Sequence, residues 1–351
     1  MIKISNSCLV DKSSDKLDEI SRYHLSRVNP LKRDGTPHQN SLSSRLINAK
    51  RKFLSDGYLV EHCAGDVEHQ KRLGDFVDYF LSNNMLGLER VILSTPLEFN
   101  TIIAEIEGIL TPEDWHSENG NKTDFYNTIS DDVFTYNNYR QSKGCIDTYK
   151  KLLGEQAQCF YCNNNKLDIV GYENGIEKLF LDLDHFYLKS KYPYLALSFF
   201  NLIPCCGLCN STVRGNVDFN TETHINPYEN CFDSEYSFIL DPEEIVKLNL
   251  GADSPFTSIR IVQSSDSIRL NDRTIDDLRL IERYRNEIPI INSLSMKYRK
   301  LRHLRDLDLE SFDITIHGYK YSEIPKDPGF IPRIQMAKLK RDIIAQLSEE
   351  E

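Results

Sequence analysis

Apolar residues return at steps of three and four through most of the first 150 positions, a spacing that places them on one face of a helix. Leu17, Ile20, His24 and Leu25 share such a face, with Asp15 as its cap and Pro30 as its stop. The same step runs through residues 42–54, 70–81 and 99–110. Thr111 before Pro112 reads as a further helix start, and residues 143–158 as a short helix leading onward. Turn formers gather in residues 31–44 and 116–122, which therefore read as loops. Val91-Ile92-Leu93 is short and rich in β-branched residues, and reads as a strand.

Beyond residue 158 the period shortens. Residues 168–172 and 178–183 read as strands about a turn at Glu173-Asn174-Gly175, so Asp184-His185 falls at a strand end. Residues 186–200 form a long aromatic loop, Asn201-Leu202-Ile203-Pro204 returns as a second strand, and a helix begins at or just after Cys209. Extended pieces follow at 224–228, 238–240 and 257–262, then two helices either side of Pro289 and a closing helix over 334–351. The predicted class is α+β in three parts: a mostly helical 1–142, a compact core over 143–235, and a mixed then helical 236–351.

The cysteines change this picture most. Cys159-x2-Cys162 and Cys206-x2-Cys209 are two knuckles able to bring four thiolates to one tetrahedral zinc. Cys205 could compete as a ligand, yet the spacing to Cys209 favours Cys206. Cys8, Cys63, Cys145, Cys205 and Cys231 read as small apolar residues without a redox role. A closed four-thiolate zinc has no open position for substrate, so any chemistry needs a second metal held by oxygen and amide ligands. Asp184, His185, Asn201 and Asn210 are the candidates between and beside the knuckles.

Taken together, these residues resemble the zinc-containing branch of the HNH endonucleases. That branch carries Cys-x2-Cys, an Asp-His pair, an Asn-Leu, then Cys-x2-Cys-Asn with a basic residue before Gly, here Arg214-Gly215. The resemblance covers roughly residues 155–235, and departs from the family at Leu188, where Pro is common, and at Lys191-Tyr192, where a Gly pair is common. It implies a ββα-metal core with a structural zinc. It also implies His185 as general base, Asp184 and Asn210 as ligands of a catalytic magnesium or manganese, and Asn201 as the side chain that orients the His185 ring. Arg214, one turn beyond Asn210, would reach a phosphate oxygen, and Lys189, Ser190 and Lys191 in the loop either touch substrate, with the two lysines as the candidates, or are simply solvated. The implied activity is metal-dependent hydrolysis of DNA phosphodiester bonds, with RNA as the second substrate class. A zinc ribbon that binds without cutting is the competing reading of the same cysteines.

Charge then limits how such a core could work. The net charge is −11, unexpected for a protein that grips a polyanion unaided. Residues 155–233 carry five basic side chains against ten acidic, whereas 279–305 carry eight against two. That stretch is either a solvated helix face or a phosphate-tracking surface. The helical first part reads as a docking or regulatory surface. The whole resembles, more loosely, the nuclease subunits of bacterial anti-phage systems such as Septu and retron-linked operons, which implies a protein partner such as an ATPase. A stand-alone restriction- or homing-type nuclease is the alternative. No run of apolar residues suits a membrane span or a secretory signal, so a cytoplasmic protein without a membrane role is expected.

Overall fold

The structure is a computed structural model, and it describes residues 3–4, 15–154, 156–171, 175, 177–230, 232–250, 255–265, 267, 271–305, 315–316, 319–320 and 328–349. The protein is α+β, with small antiparallel sheets set among helices. The first part is helical as its periodicity predicts: α1 Lys16–Val28, α2 Leu42–Phe53, α3 Asp56–His62, α4 Val67–Leu93 and α5 Phe99–Glu107. Helix α2 shows why. The Ser41 hydroxyl accepts from the Ser44 N–H at its start, Lys50, Arg51 and Lys52 sit at its negative end, and Leu42, Leu46, Ala49 and Phe53 are buried. Thr111 heads a capping box with Asp114, as expected. Asp15 makes no side-chain cap bond at α1.

Val91-Ile92-Leu93 is not a strand. It is the last turn of α4, where Leu88, Val91 and Ile92 continue the three-and-four spacing onto the buried face, so helical period outweighs local β-preference. Helix α4 is broken at Ser82–Met85, where Asn83, Asn84 and Met85 are left-handed. The chain then returns so close to the preceding turn that a Cβ at Gly87 would lie 1.9 Å from the Tyr79 carbonyl oxygen. Only glycine fits there.

Strands β1 Gln156–Gln158, β2 Lys166–Gly171 and β3 Glu177–Phe180 form one antiparallel sheet. The expected strand over 178–183 divides at Leu181, and its second half belongs to β4 Asp182–His185, which pairs with β5 Leu202–Cys205 in a separate ribbon. In that ribbon Asp182 lies opposite Cys205, Asp184 opposite Ile203 and His185 opposite Leu202. The segment after β5 winds as a π-helix, Leu208–Arg214, rather than an α-helix. Strands β6 Tyr236–Leu240 and β7 Ile259–Gln263 pair as a third sheet, whereas residues 224–228 carry no strand. The helices Leu280–Arg285 and Ile288–Arg305 follow, with Pro289 in the first turn of the second, where its missing N–H costs nothing. The chain closes on the helix Ala337–Glu349. The expected turn at Glu173-Asn174 and the last two residues lie outside the described residues.

Buried apolar side chains form one cluster that runs through all three parts of the chain. The first part packs against the loop between β4 and β5. Buried His24 bridges them: its Nε2–H donates to the Leu197 carbonyl at 2.8 Å, and its Nδ1 accepts from the Tyr139 hydroxyl at 2.8 Å. Burial pushes its pKa down to about 4, so it sits neutral in the core. The Ser198 hydroxyl donates to the Val91 carbonyl at 2.7 Å, and the rings of Phe76 and Trp115 pack on Tyr194. Cys63, Cys145 and Cys205 are free and buried, which suits their apolar reading, while Cys8 and Cys231 lie outside the described residues. Among the described residues no helix is long and apolar enough to cross a membrane.

Candidate metal centre and active site

The first cysteine pair occupies the turn that joins β1 to β2. The Cys159 N–H bonds the Asn165 carbonyl and the Asn163 N–H returns to the Cys159 carbonyl, both at 2.7 Å, with Asn163 left-handed at φ 51. The second pair follows β5, where the Asn210 N–H closes onto the Cys206 carbonyl at 3.1 Å. These two local turns bring Cys159, Cys162, Cys206 and Cys209 together, all buried, with ligand atoms within 4.8 Å of one another. Four soft donors at that spacing could hold a metal ion such as zinc. Cys206 belongs to the set and Cys205 does not.

What surrounds the sulfurs fits an anionic metal centre. The Asn165 amide and the Arg283 guanidinium each donate to a sulfur at 3.1 Å, to Cys206 and Cys209 respectively, and the Cys206 N–H donates to the Cys159 sulfur at 3.3 Å. Hydrogen bonding among the four thiols splits their acidities: Cys159 and its fellows pull Cys206 well below the usual thiol range and Cys162 down to about 6, while burial holds Cys159 well above it and Cys209 also stays high. Burial pulls Arg283 down, but the charge on Cys209 and Cys162 outweighs it and holds the guanidinium above its ordinary value.

Successive side chains on β4 point to opposite faces. On one face His185 is almost fully buried, its Nε2–H donating to the Ala196 carbonyl at 3.1 Å and its ring meeting the edge of Tyr136 with centroids 4.3 Å apart. That bond selects the tautomer whose Nδ1 keeps its lone pair. Burial, then the nearby Lys189 charge, pushes the His185 pKa down to about 3. Beside it opens a cleft of about 180 Å³ lined by Ser130, Asp131, Tyr136, Asn137, Asn138 and Lys189, most of them from the helical first part.

The other face carries Asp182 and Asp184. Asp184 is 2% exposed, accepts from the Tyr161 hydroxyl at 2.6 Å on one oxygen, and pairs with Arg214 at 3.0 Å on the other. Burial raises its pKa, with Arg214 and then Tyr161 opposing. The carboxylate that meets the Asn210 amide is Asp182, at 3.1 Å, two residues back on the same face. Asp184 thus offers no open oxygen for a divalent ion while Arg214 stands beside it. The half-buried Asp182 and Asn210 carry the lone pairs on that face.

Three sequence expectations change here. Asn201 makes no hydrogen bond to the His185 ring; its side-chain oxygen accepts from the Tyr187 N–H at 2.7 Å and its NH₂ donates to the Tyr187 and Leu195 carbonyls at 3.1 Å, which folds the loop that presents Ala196. Arg214 is 3% exposed and its two terminal nitrogens go to Asp184 and to the His185 and Phe186 carbonyls, with Nε buried and unpartnered, so burial keeps it from a phosphate. Lys191 is paired with Asp218 at 2.8 Å, while exposed Lys189 lies 4.8 Å over the Tyr136 ring at the cleft. Tyr161, Tyr136 and Ala196 escaped sequence reading because nothing local marks them. Asp182 could have been found, since it alternates with Asp184 onto the same face. Comparison with known proteins gave no match to a family model, to a curated protein or to a solved structure.

Proposed function

We propose that this protein is a phosphodiesterase acting on DNA or RNA, built on an HNH-type core whose four cysteines hold a structural zinc. The observation that carries the reading is His185. It is a neutral imidazole with Nε2 tied to a backbone carbonyl, on a strand whose other face holds two carboxylates and an amide, braced at its end by the four-cysteine corner. His185 Nδ1 takes the proton from the attacking water, and Ala196 and Tyr136 hold the ring in the orientation that allows it. A magnesium or manganese ion on the Asp182, Asp184 and Asn210 face, when bound, supplies the positive charge that a phosphodiester needs. Such an ion and Arg214 are alternative counter-charges for Asp184.

The core presents few unpaired cations to a polyanion. Lys166 is paired with Asp168, Lys191 with Asp218, and Arg214 is buried. This supports working in a complex, with a protein partner that recruits the nucleic acid. Buried Asp184, already neutralised by Arg214, and a His185 pKa near 3, which makes its imidazole a weak base at neutral pH, favour the competing reading of a zinc-ordered binding module without catalysis.

Cleavage of plasmid and single-stranded substrates after EDTA treatment and re-addition of magnesium or manganese separates these readings. Replacing His185 with alanine should lower the rate on the order of 10²-fold or more while zinc content and circular dichroism stay unchanged. A variant that cuts within threefold of the wild type would remove His185 as base. A wild type that binds nucleic acid but never cuts, alone or with the proteins that co-purify with it, would leave the binding module. Efficient unaided cutting at physiological salt would remove the partner.

A further inference from the structure

Two late segments of the chain converge on the turn that carries the first cysteine pair. From the helix Leu280–Arg285, Arg283 donates to the Cys209 sulfur at 3.1 Å and the Tyr284 hydroxyl donates to the Cys162 carbonyl. Just beyond it, Glu287 accepts from the Asn164 amide at 2.7 Å. From the other segment, the Ile331 and Ile334 carbonyls accept from the Asn163 amide at 3.0 and 3.2 Å, and the Met336 N–H donates to the Asn163 carbonyl at 2.7 Å. Gln335 donates to the Asn164 carbonyl at 2.8 Å. Asn163 is itself buried and left-handed. Its backbone geometry is set by the turn that the cysteines close.

We propose that the four-thiolate centre, loaded with zinc, is the anchor that holds the C-terminal part to the body of the protein, and that Arg283 is the positioning residue linking the two. The inference rests on the zinc half of the proposed function and is independent of the nuclease half. Zinc with four thiolates carries two net negative charges in a buried place, and the half-buried Arg283 guanidinium balances one of them while donating an N–H to sulfur. When the metal leaves, nothing fixes the four sulfurs at one point, and the half-buried Arg283 guanidinium loses the immobile acceptor it donates to. The turn at 159–165 loses its restraint at the same time. The helix Ile288–Arg305, which carries most of the chain's basic stretch, follows directly from the elements so released.

The coupling is reciprocal, so it can be read from either end. The full zinc-loaded chain would be compared as wild type, Arg283→Ala, Arg283→Lys and Arg285→Ala, the last an exposed neighbour used as control. Zinc transfer to a chromogenic chelator should be on the order of tenfold faster or more in Arg283→Ala, intermediate in Arg283→Lys and unchanged in Arg285→Ala. Peptide-resolved hydrogen exchange of the wild type after chelation should show protection lost in residues 280–297 and 334–347 and kept in α2. No zinc in the wild type would overturn the metal centre itself. Zinc bound but released equally by wild type and both Arg283 variants would overturn the role of Arg283. Unchanged exchange at 280–297 on chelation would overturn the anchor. If Arg283→Ala does not fold, Arg283→Lys and the wild-type chelation arm decide both points.

Discussion

The four-cysteine centre and the β4 face lie on the same corner of the protein, yet they balance buried charge in opposite ways. At the cysteines, four acidic groups converge and their donors come from distant segments: Asn165 from β2's approach, Arg283 from the C-terminal part. Arg283 supplies one positive charge there, and the four sulfurs could hold a metal ion besides. On β4 the counter-charge is a residue of the chain itself, because Arg214 pairs with Asp184 and donates to the His185 and Phe186 carbonyls at the strand's end. The first arrangement, loaded as proposed, would tie folding to a metal. The second holds its strand end without one, so a divalent ion arriving at β4 competes with a resident guanidinium.

Removing that guanidinium gives the largest effect expected from this contrast. Arg214→Met keeps much of the volume but leaves Asp184 as an uncompensated buried charge and strands two carbonyls, a loss of about 3–5 kcal/mol. Urea unfolding at constant zinc would measure it. Asp184→Asn in the same chain should recover a large part, because the orphaned charge is gone, and added magnesium should stabilise Arg214→Met more than the wild type. A cost below about 1 kcal/mol would mean that Asp184 takes up a proton once Arg214 is gone, so that no buried charge is left unpaired.

How far the sequence revealed these two sites follows from where their partners come from. Each cysteine pair is separated by two residues inside one local turn, so spacing alone identified the set and excluded Cys205. The alternation of Asp184 and His185 was equally local. Nothing local distinguishes an arginine that will be buried from one that will meet phosphate, so Arg214 was placed correctly along the chain and misread in role. Asn201 was read through family likeness, whereas its bonds are set by the shape of this particular loop. Helices with several turns, such as α2, were legible because each turn repeats the signal. Val91-Ile92-Leu93 was not, since three β-branched or apolar residues fit a strand and a helix end equally well.

A second test uses acid to separate the faces. His24 and His185 are buried and neutral, with folded pKa values near 4 and 3 against about 6.5 in the unfolded chain. Because the folded values are depressed, the stability tied to neutral imidazole is fully present above pH 6.5. It drains away as pH falls through the window towards 4 and 3. Linkage puts the loss at pH 5 at about 2 kcal/mol for each imidazole. Urea midpoints at pH 7.5 and pH 5 with saturating zinc would show it, with zinc content checked at both, since thiolates also protonate in acid. His24→Gln keeps a donor and an acceptor but cannot titrate, so its pH dependence should be shallower by about 2 kcal/mol. Equal slopes for the two proteins would mean that His24 is not buried neutral.

The smallest effect expected sits at the mouth of the cleft. Lys189 lies over the Tyr136 ring, Tyr136 packs edge-on against His185, and the Lys189 charge is the second cause, after burial, of the low His185 pKa. Lys189→Met retains the aliphatic stem and loses the charge, so stability should change by no more than about 1 kcal/mol, the size of an exposed cation–π contact. The imidazole should respond more clearly. Its titration, followed by nitrogen-resolved NMR, should move towards higher pH, and Lys189→Glu should move it further in the same direction. The acidic limb of any His185-dependent activity would move with it. Lys191→Met supplies the control, because that lysine is exposed and engaged with Asp218. If the two methionine variants leave His185 titrating alike, burial alone sets its protonation and Lys189 has no hold on the candidate base.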